Sequence, residues 1–296
     1  MRKFEISADS TCDFYASEIK ENDIFVAPLE YVISKGDDMA VELDNYTKES
    51  QYTDFYDRLR NGCIAKTSIL NVQAHIDLFK KIAKTGVKNL LHITQGYGLS
   101  PTLDNANKAI EEVKQEYKDI NIVAMESNTT TCAEGFIVRA AIKLRDEGKT
   151  LEEALEKLQE IKKLTQHFIM VNDLKFLARG GRISKTSANI GSLLQVKPII
   201  EFNKEGKLQI VRKEIGLKKA MNSIVNEFKE FSLNKEFPYI AIVHTGAENL
   251  AKEIQTLLKT KYGIEPEIRL MGPIISAHVG PGAVAYTFIS NEERKF

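Results

Sequence analysis

The sequence predicts an α/β protein in two parts. An N-terminal part is built on a mainly parallel sheet flanked by helices, and a C-terminal α+β part carries a mixed or antiparallel sheet. Three observations predict this. In the first half, short apolar runs alternate with helical patterns, as βαβ units require. Hydroxyl-rich loops follow such runs at Ser7–Asp13, Lys66–Asn71, Thr94–Thr102 and Glu126–Thr131. In the second half, Asn203-Lys204-Glu205-Gly206 separates two further apolar runs, a hairpin signal that demands antiparallel pairing.

Taken in order, strands are expected at Lys3–Ala8, Asn89–Thr94 and Asn121–Met125. Ser100 is expected to cap the helix that follows the third loop, with Pro101 at its first position; Leu103, Ala106, Ala109, Ile110, Val113 and Tyr117 form its apolar face. Phe136, Ala140 and Leu144 mark another helix, closed near Gly148. Thr150 and Glu153 form a capping box that opens a charged amphipathic helix to Leu164. The pattern then changes. Strands are expected at His167–Asn172, Lys197–Phe202, Lys207–Arg212, Pro238–His244, Glu267–Met271 and Val284–Ile289, with helices at Leu217–Phe231 and Ala247–Tyr262. The domain boundary is expected near residue 165, giving units 1–165 and 166–296.

The chain has 296 residues, with 41 basic and 41 acidic side chains, so no broad field favours nucleic acid or an anionic membrane. Cys12, Cys63 and Cys132 form no Cys-x-x-Cys pair, which points to a reducing cytoplasm rather than a disulfide framework or thiolate zinc site. The five histidines form no metal-binding motif, and no metal or cofactor is expected. The start of the chain is too short in apolar residues for a signal peptide, and no segment approaches the roughly 18 of a membrane span.

In an open α/β sheet the loops after the strands share one edge, where ligands bind. Thr67 and Ser68 lie just ahead of a helical pattern, where hydroxyls and free N–H groups hold a carboxylate or phosphate; capping by Ser68 or Asn71 is the plainer reading. Ser100 carries the same two readings. Gly96 and Gly98 permit close backbone approach or simply a turn, and without a complete Gly-x-Gly-x-x-Gly or Walker motif nucleotide binding is rejected. Asp9 and Asp13 are expected to cap and to bond within their loop. His278, in Ala-His-Val-Gly-Pro-Gly-Ala, is expected in a sharp turn facing a cleft, there to bond an acid headgroup or to steady the turn. His75 is expected at the surface or core edge. Arg179, Arg182 and Lys185 flank a Gly-Gly turn and suit either phosphate binding or plain solvation.

Several segments together resemble the DegV family: Ala8-Asp9-Ser10-Thr11-Cys12-Asp13, Thr67-Ser68, Glu126-Ser127, Asn172-Asp173-Leu174 leading to Gly180-Gly181-Arg182-Ile183-Ser184, Lys197-Pro198-Ile199, His244-Thr245-Gly246, and His278-Val279-Gly280-Pro281-Gly282-Ala283. Their order spans essentially the whole chain. The resemblance implies a two-domain α/β fold and a long-chain fatty acid in an apolar tunnel, its carboxylate held by Thr67, Ser68, Ser100 and His278. It implies no catalysis by the chain itself, which would present the carboxylate to a separate ATP-dependent fatty acid kinase subunit. The Arg182 segment would lie near the kinase contact or the phosphorylated product, and transient membrane contact accords with that role. The chain departs from the family at Ile69-Leu70-Asn71 and in the loop Gly96–Thr102, which bears on ligand choice. Two other readings stay open: an acyl hydrolase pairing a serine with His278, and a sensor or scaffold whose ligand changes its partners. The acyl length, the degree of unsaturation, the kinase partner's identity and the oligomeric state are not written in the sequence.

Overall fold

The computed structural model describes residues 2–184 and 196–295. Along them run β1 (Glu5–Asp9), β2 (Phe25–Ala27), β3 (Glu30–Lys35), β4 (Asp38–Leu43), β5 (Ile64–Thr67), β6 (Asn89–Thr94), β7 (Asn121–Glu126), β8 (Thr165–Met170), β9 (Val196–Phe202), β10 (Leu208–Ile215), β11 (Ile240–His244), β12 (Glu267–Leu270) and β13 (Val284–Ile289). They form three sheets. The first is parallel, in the order β2-β1-β6-β7. A three-stranded antiparallel sheet has the order β4-β3-β5. The third is mixed, in the order β10-β9-β8-β13-β11-β12, with only β11 and β12 parallel.

The parallel sheet is covered on both faces, as a sheet of this kind requires. Successive side chains of a strand point to opposite faces. On one face Leu90 and Ile122 pack with Ile76, Phe79 and Ile82 of the helix Val72–Ala83, and with Ala106, Ala109, Ile110 and Val113 of the helix Thr102–Glu116. On the other, Leu91 and Ile93 belong to the same core as Phe136, Ile137 and Ala140 of the helix Thr131–Asp146. The Thr150–Glu153 capping box is present and opens the helix Leu151–Leu164, and the Asn203–Gly206 turn joins β9 to β10 as expected.

Residues 25–67 are the main departure from the sequence reading. This stretch adds the antiparallel sheet and the helix Glu49–Arg60 between the first parallel strands and the rest. The Lys66–Asn71 loop therefore follows an antiparallel strand rather than a member of the parallel sheet. The helix docks on the third sheet's side of the molecule, where Tyr56 donates to the Met271 carbonyl at 2.5 Å and Arg60 to that of Gly246 at 2.7 Å.

A buried clamp joins the chain's two ends. Arg269, 5% exposed, donates to both carboxylate oxygens of Glu18 at 3.0 and 2.6 Å, and to the Asp13 carbonyl at 2.8 Å. Its guanidinium also stacks 4.4 Å from the Tyr15 ring centre. Beside it, Asp13 accepts from the Gly272 N–H at 3.0 Å. Asp9 accepts from the Thr11 N–H, the local capping role expected of it.

Candidate functional site

A cavity of about 190 Å³ lies between the parallel sheet's loop edge and the third sheet. On that measure a single water needs roughly 10–15 Å³, so the space suits an extended ligand. Its walls are mostly apolar: Leu29, Ile169, Leu177, Phe202, Leu208, Met271, Ile274, Ile275, Val279 and Ala285. Three of the four hydroxyl-rich loops reach it, through Thr67 and Ser68, through Gln95, Leu99, Ser100 and Pro101, and through Thr130 and Thr131. The Ser7–Asp13 loop does not line it.

Thr67, Ser68, Ser100 and His278 all line this one cavity. Thr67 ends β5, and its Oγ1 lies 2.9 Å from His278 Nε2. Neither Thr67 nor Ser68 stands at a helix start, contrary to expectation. Asn71 is the cap there, accepting from the Ala74 N–H at 2.8 Å, while the Ser68 N–H donates to Glu30. Ser68 is exposed at the mouth. Ser100 does not cap its helix either. Pro101 occupies the cap position, the helix begins at Thr102, and the Ser100 hydroxyl pairs with Thr102 Oγ1 at 2.8 Å. The reason is geometric: the Leu99 and Ser100 N–H groups both turn back to the Gly96 carbonyl, which folds the loop one residue further before the helix starts.

His278 lies in the last turn of a short helix, Pro273–Val279, and not in an open turn. Pro273 at the first helical position and Gly280 after the last are the signals that bound it. Burial, with Arg182 nearby, pushes the His278 pKa down to about 4, so the imidazole is neutral at pH 7. A Cβ on Gly180 would stand 2.2 Å from His278 Nδ1, so only glycine at 180 lets the ring sit where it does. The Gly-Gly segment thus seats the histidine.

Arg182 lines the cavity, with Nε and Nη2 donating to the Leu99 carbonyl at 3.2 and 3.0 Å. Arg179 is separate from it: exposed, and stacked 4.6 Å from the Phe176 ring centre. Lys185 falls outside the described residues. His75, expected near the surface, is fully buried, edge-on to His92 at 5.1 Å between ring centres.

Gly98 is needed for a protein contact rather than a ligand contact. A Cβ there would lie 2.3 Å from the Gly206 carbonyl oxygen, where the loop abuts the hairpin turn. Gly98→Ala is expected to lower the unfolding free energy by about 1–3 kcal/mol, read from denaturant melts, because backbone must move on one side or the other.

The sequence reading passed over Gln95, Thr130 and His167, which also line the cavity. Each is at least 95% buried. A buried polar group without a partner costs about 1–3 kcal/mol, so these positions call for an explanation. A sequence signal existed for Gln95 and Thr130, which lie in hydroxyl-rich loops beyond β6 and β7 at the ligand-binding edge, and none marked His167.

No helix among the described residues is long and apolar enough to cross a membrane. A family model described as uncharacterised proteins of the DegV family matches residues 3–291. The DegV domain-containing protein YteA of Lactococcus lactis is 32% identical over 296 residues, covering 99% of each chain. A DegV domain-containing protein of Clostridium perfringens is 30% identical over 292 residues, 98% of this chain and 99% of its own. Among solved structures, a DegV lipid-binding protein of Thermotoga maritima matches with a TM-score of 0.83 at 28% identity, covering 99% of this chain and all, 100%, of that one. A second T. maritima protein, whose structure is described as revealing fatty acid binding, matches at 0.82 and 28%, covering 98% and 100%. A fatty-acid-binding DegV-family protein of Streptococcus agalactiae matches at 0.78 and 29%, covering 99% and 100%.

Proposed function

The chain belongs to the DegV family, and on that premise we propose that it binds a long-chain fatty acid in the cavity and presents the carboxylate to a separate ATP-dependent fatty acid kinase. The observation that carries this reading is one mostly apolar cavity whose wall brings Thr67, Ser68, Ser100 and His278 together. Two of its relatives of known structure, at 28 and 29% identity, are described as binding fatty acids.

The physical logic is consistent. Each buried methylene contributes roughly 0.8 kcal/mol, so the tail supplies the affinity. The carboxylate must keep partners as it leaves water. The hydroxyls of Thr67 and Ser100 and the imidazole of His278 supply them, and Arg182 adds a positive charge in the same wall. Arg179, on the outer surface, is assigned to the kinase contact. The chain itself acts without catalysis in this reading, in a cytoplasmic setting. An acyl hydrolase has less support, because His278 Nδ1 faces Gly180 and has no carboxylate to orient it.

The test is to denature the purified protein and identify released small molecules by mass spectrometry. A fatty acid at close to one per chain is the expected result. Protein that releases none, and takes up none when fatty acids are added, overturns the reading.

A further inference from the structure

The inner end of the cavity is polar in a way that carboxylate binding leaves unused. Gln95 is 5% exposed, and its side-chain amide makes no hydrogen bond among the described residues. Thr130 is 3% exposed; it precedes the helix Thr131–Asp146 without capping it, and its Oγ1 has no partner. His167 is 3% exposed, with Nδ1 3.3 Å from Thr129 Oγ1 and Nε2 unpartnered.

These residues line one cavity, and the segments that carry them meet. The Gly96 N–H, next to Gln95, donates to the Thr129 carbonyl at 2.7 Å, and the Thr129 hydroxyl faces His167. The cluster stands apart from the mouth. His167 lies three residues before the end of β8, roughly 10 Å of strand, while His278 lies beyond that end against Gly180. Apolar walls, Ile169 and Ala285 among them, lie between the two histidines.

A plain hydrocarbon tail offers such groups nothing, whereas an oxygen on the chain offers an acceptor and, as a hydroxyl, a donor. We propose that the preferred ligand is an oxygenated fatty acid, whose hydroxyl or keto group, remote from the carboxylate, is held by Gln95, Thr130 and His167. This rests on the fatty-acid reading above. Burial, with Arg294 nearby, pushes the His167 pKa down to about 3, so its imidazole meets the ligand as a neutral partner.

The test titrates lipid-free protein with octadecanoic acid and with hydroxyoctadecanoic acids whose hydroxyl is moved from mid-chain to the terminal carbon, by displacement of a fluorescent fatty acid. At least one hydroxy acid is expected to bind about tenfold more tightly than the parent. In Thr130→Val, nearly isosteric, and separately in Gln95→Leu, that ratio is expected to fall toward one. Equal affinity for parent and hydroxy acids overturns this proposal and leaves the fatty-acid reading standing, with ordered water assigned to the polar end. A preference that survives both substitutions overturns the assignment to these residues. Failure of every acid to bind overturns both readings.

Discussion

His278→Ala is expected to weaken fatty acid binding by about ten- to a hundredfold, the equivalent of one lost hydrogen bond to a charged group. The ring makes one hydrogen bond, to Thr67, and its other nitrogen rests against Gly180, so its loss leaves the fold largely in place. The substitution also carries a signature in pH. In the empty protein, burial and Arg182 hold the His278 pKa down to about 4. A carboxylate placed beside the ring raises that value, so binding takes up protons. The sign follows: with the ligand ionised, above its own pKa of roughly 4.3, affinity declines as pH rises through the raised value in the complex. Titration calorimetry in buffers of different ionisation enthalpy should show proton uptake in the parent protein, and less of it in His278→Ala. Uptake that is unchanged by the substitution would remove His278 from the carboxylate's partners.

Arg269→Met is expected to cost about 3–5 kcal/mol of stability, measured by denaturant unfolding at pH 7. Methionine retains much of the side chain's apolar stem but removes the guanidinium hydrogen bonds that Arg269 gives to Glu18 and to the Asp13 carbonyl. Glu18 keeps Arg139 at 2.7 Å, which places the loss toward the lower end of that range. For Glu18 burial acts upward, but the Arg269 hydrogen bonds and charge outweigh it and hold the pKa below the usual 4.5. This pair therefore contributes fully above the unfolded value near 4.5 and fades as pH falls through the depressed folded value. The stability gap between Arg269→Met and the parent should narrow in acid. A gap that stays constant would assign the effect to packing against Tyr15 instead.

The sequence made the parallel sheet and its helices legible because their apolar periods were clean and their ends carried capping residues. Residues 25–67 were not legible, for a physical reason. β4 is exposed along almost its whole length, with Met39, Val41 and Leu43 at 72, 60 and 43% exposure, so apolar spacing gives no core face there. The His278 helix was missed because it is too short to display a period, although Pro273 and Gly280 bracket it. At the site, family resemblance led to the four residues of the mouth, which the fold brings together. The inner cluster could not be read in the same way. Gln95, Thr130 and His167 come from three separate segments, brought together by tertiary contacts such as Gly96–Thr129 and Thr129–His167.

The strand order of the parallel sheet has a consequence for synthesis. β1 sits between β2 and β6, so once made it must wait for residues near 90 before its second edge is covered. At about 5–20 residues per second, that leaves an open edge of unpaired N–H and C=O groups for several seconds on every nascent chain. Arg269, which clamps the Asp13 region, emerges later still. Until those later segments arrive, β1 presents backbone groups with which a strand of another chain can pair.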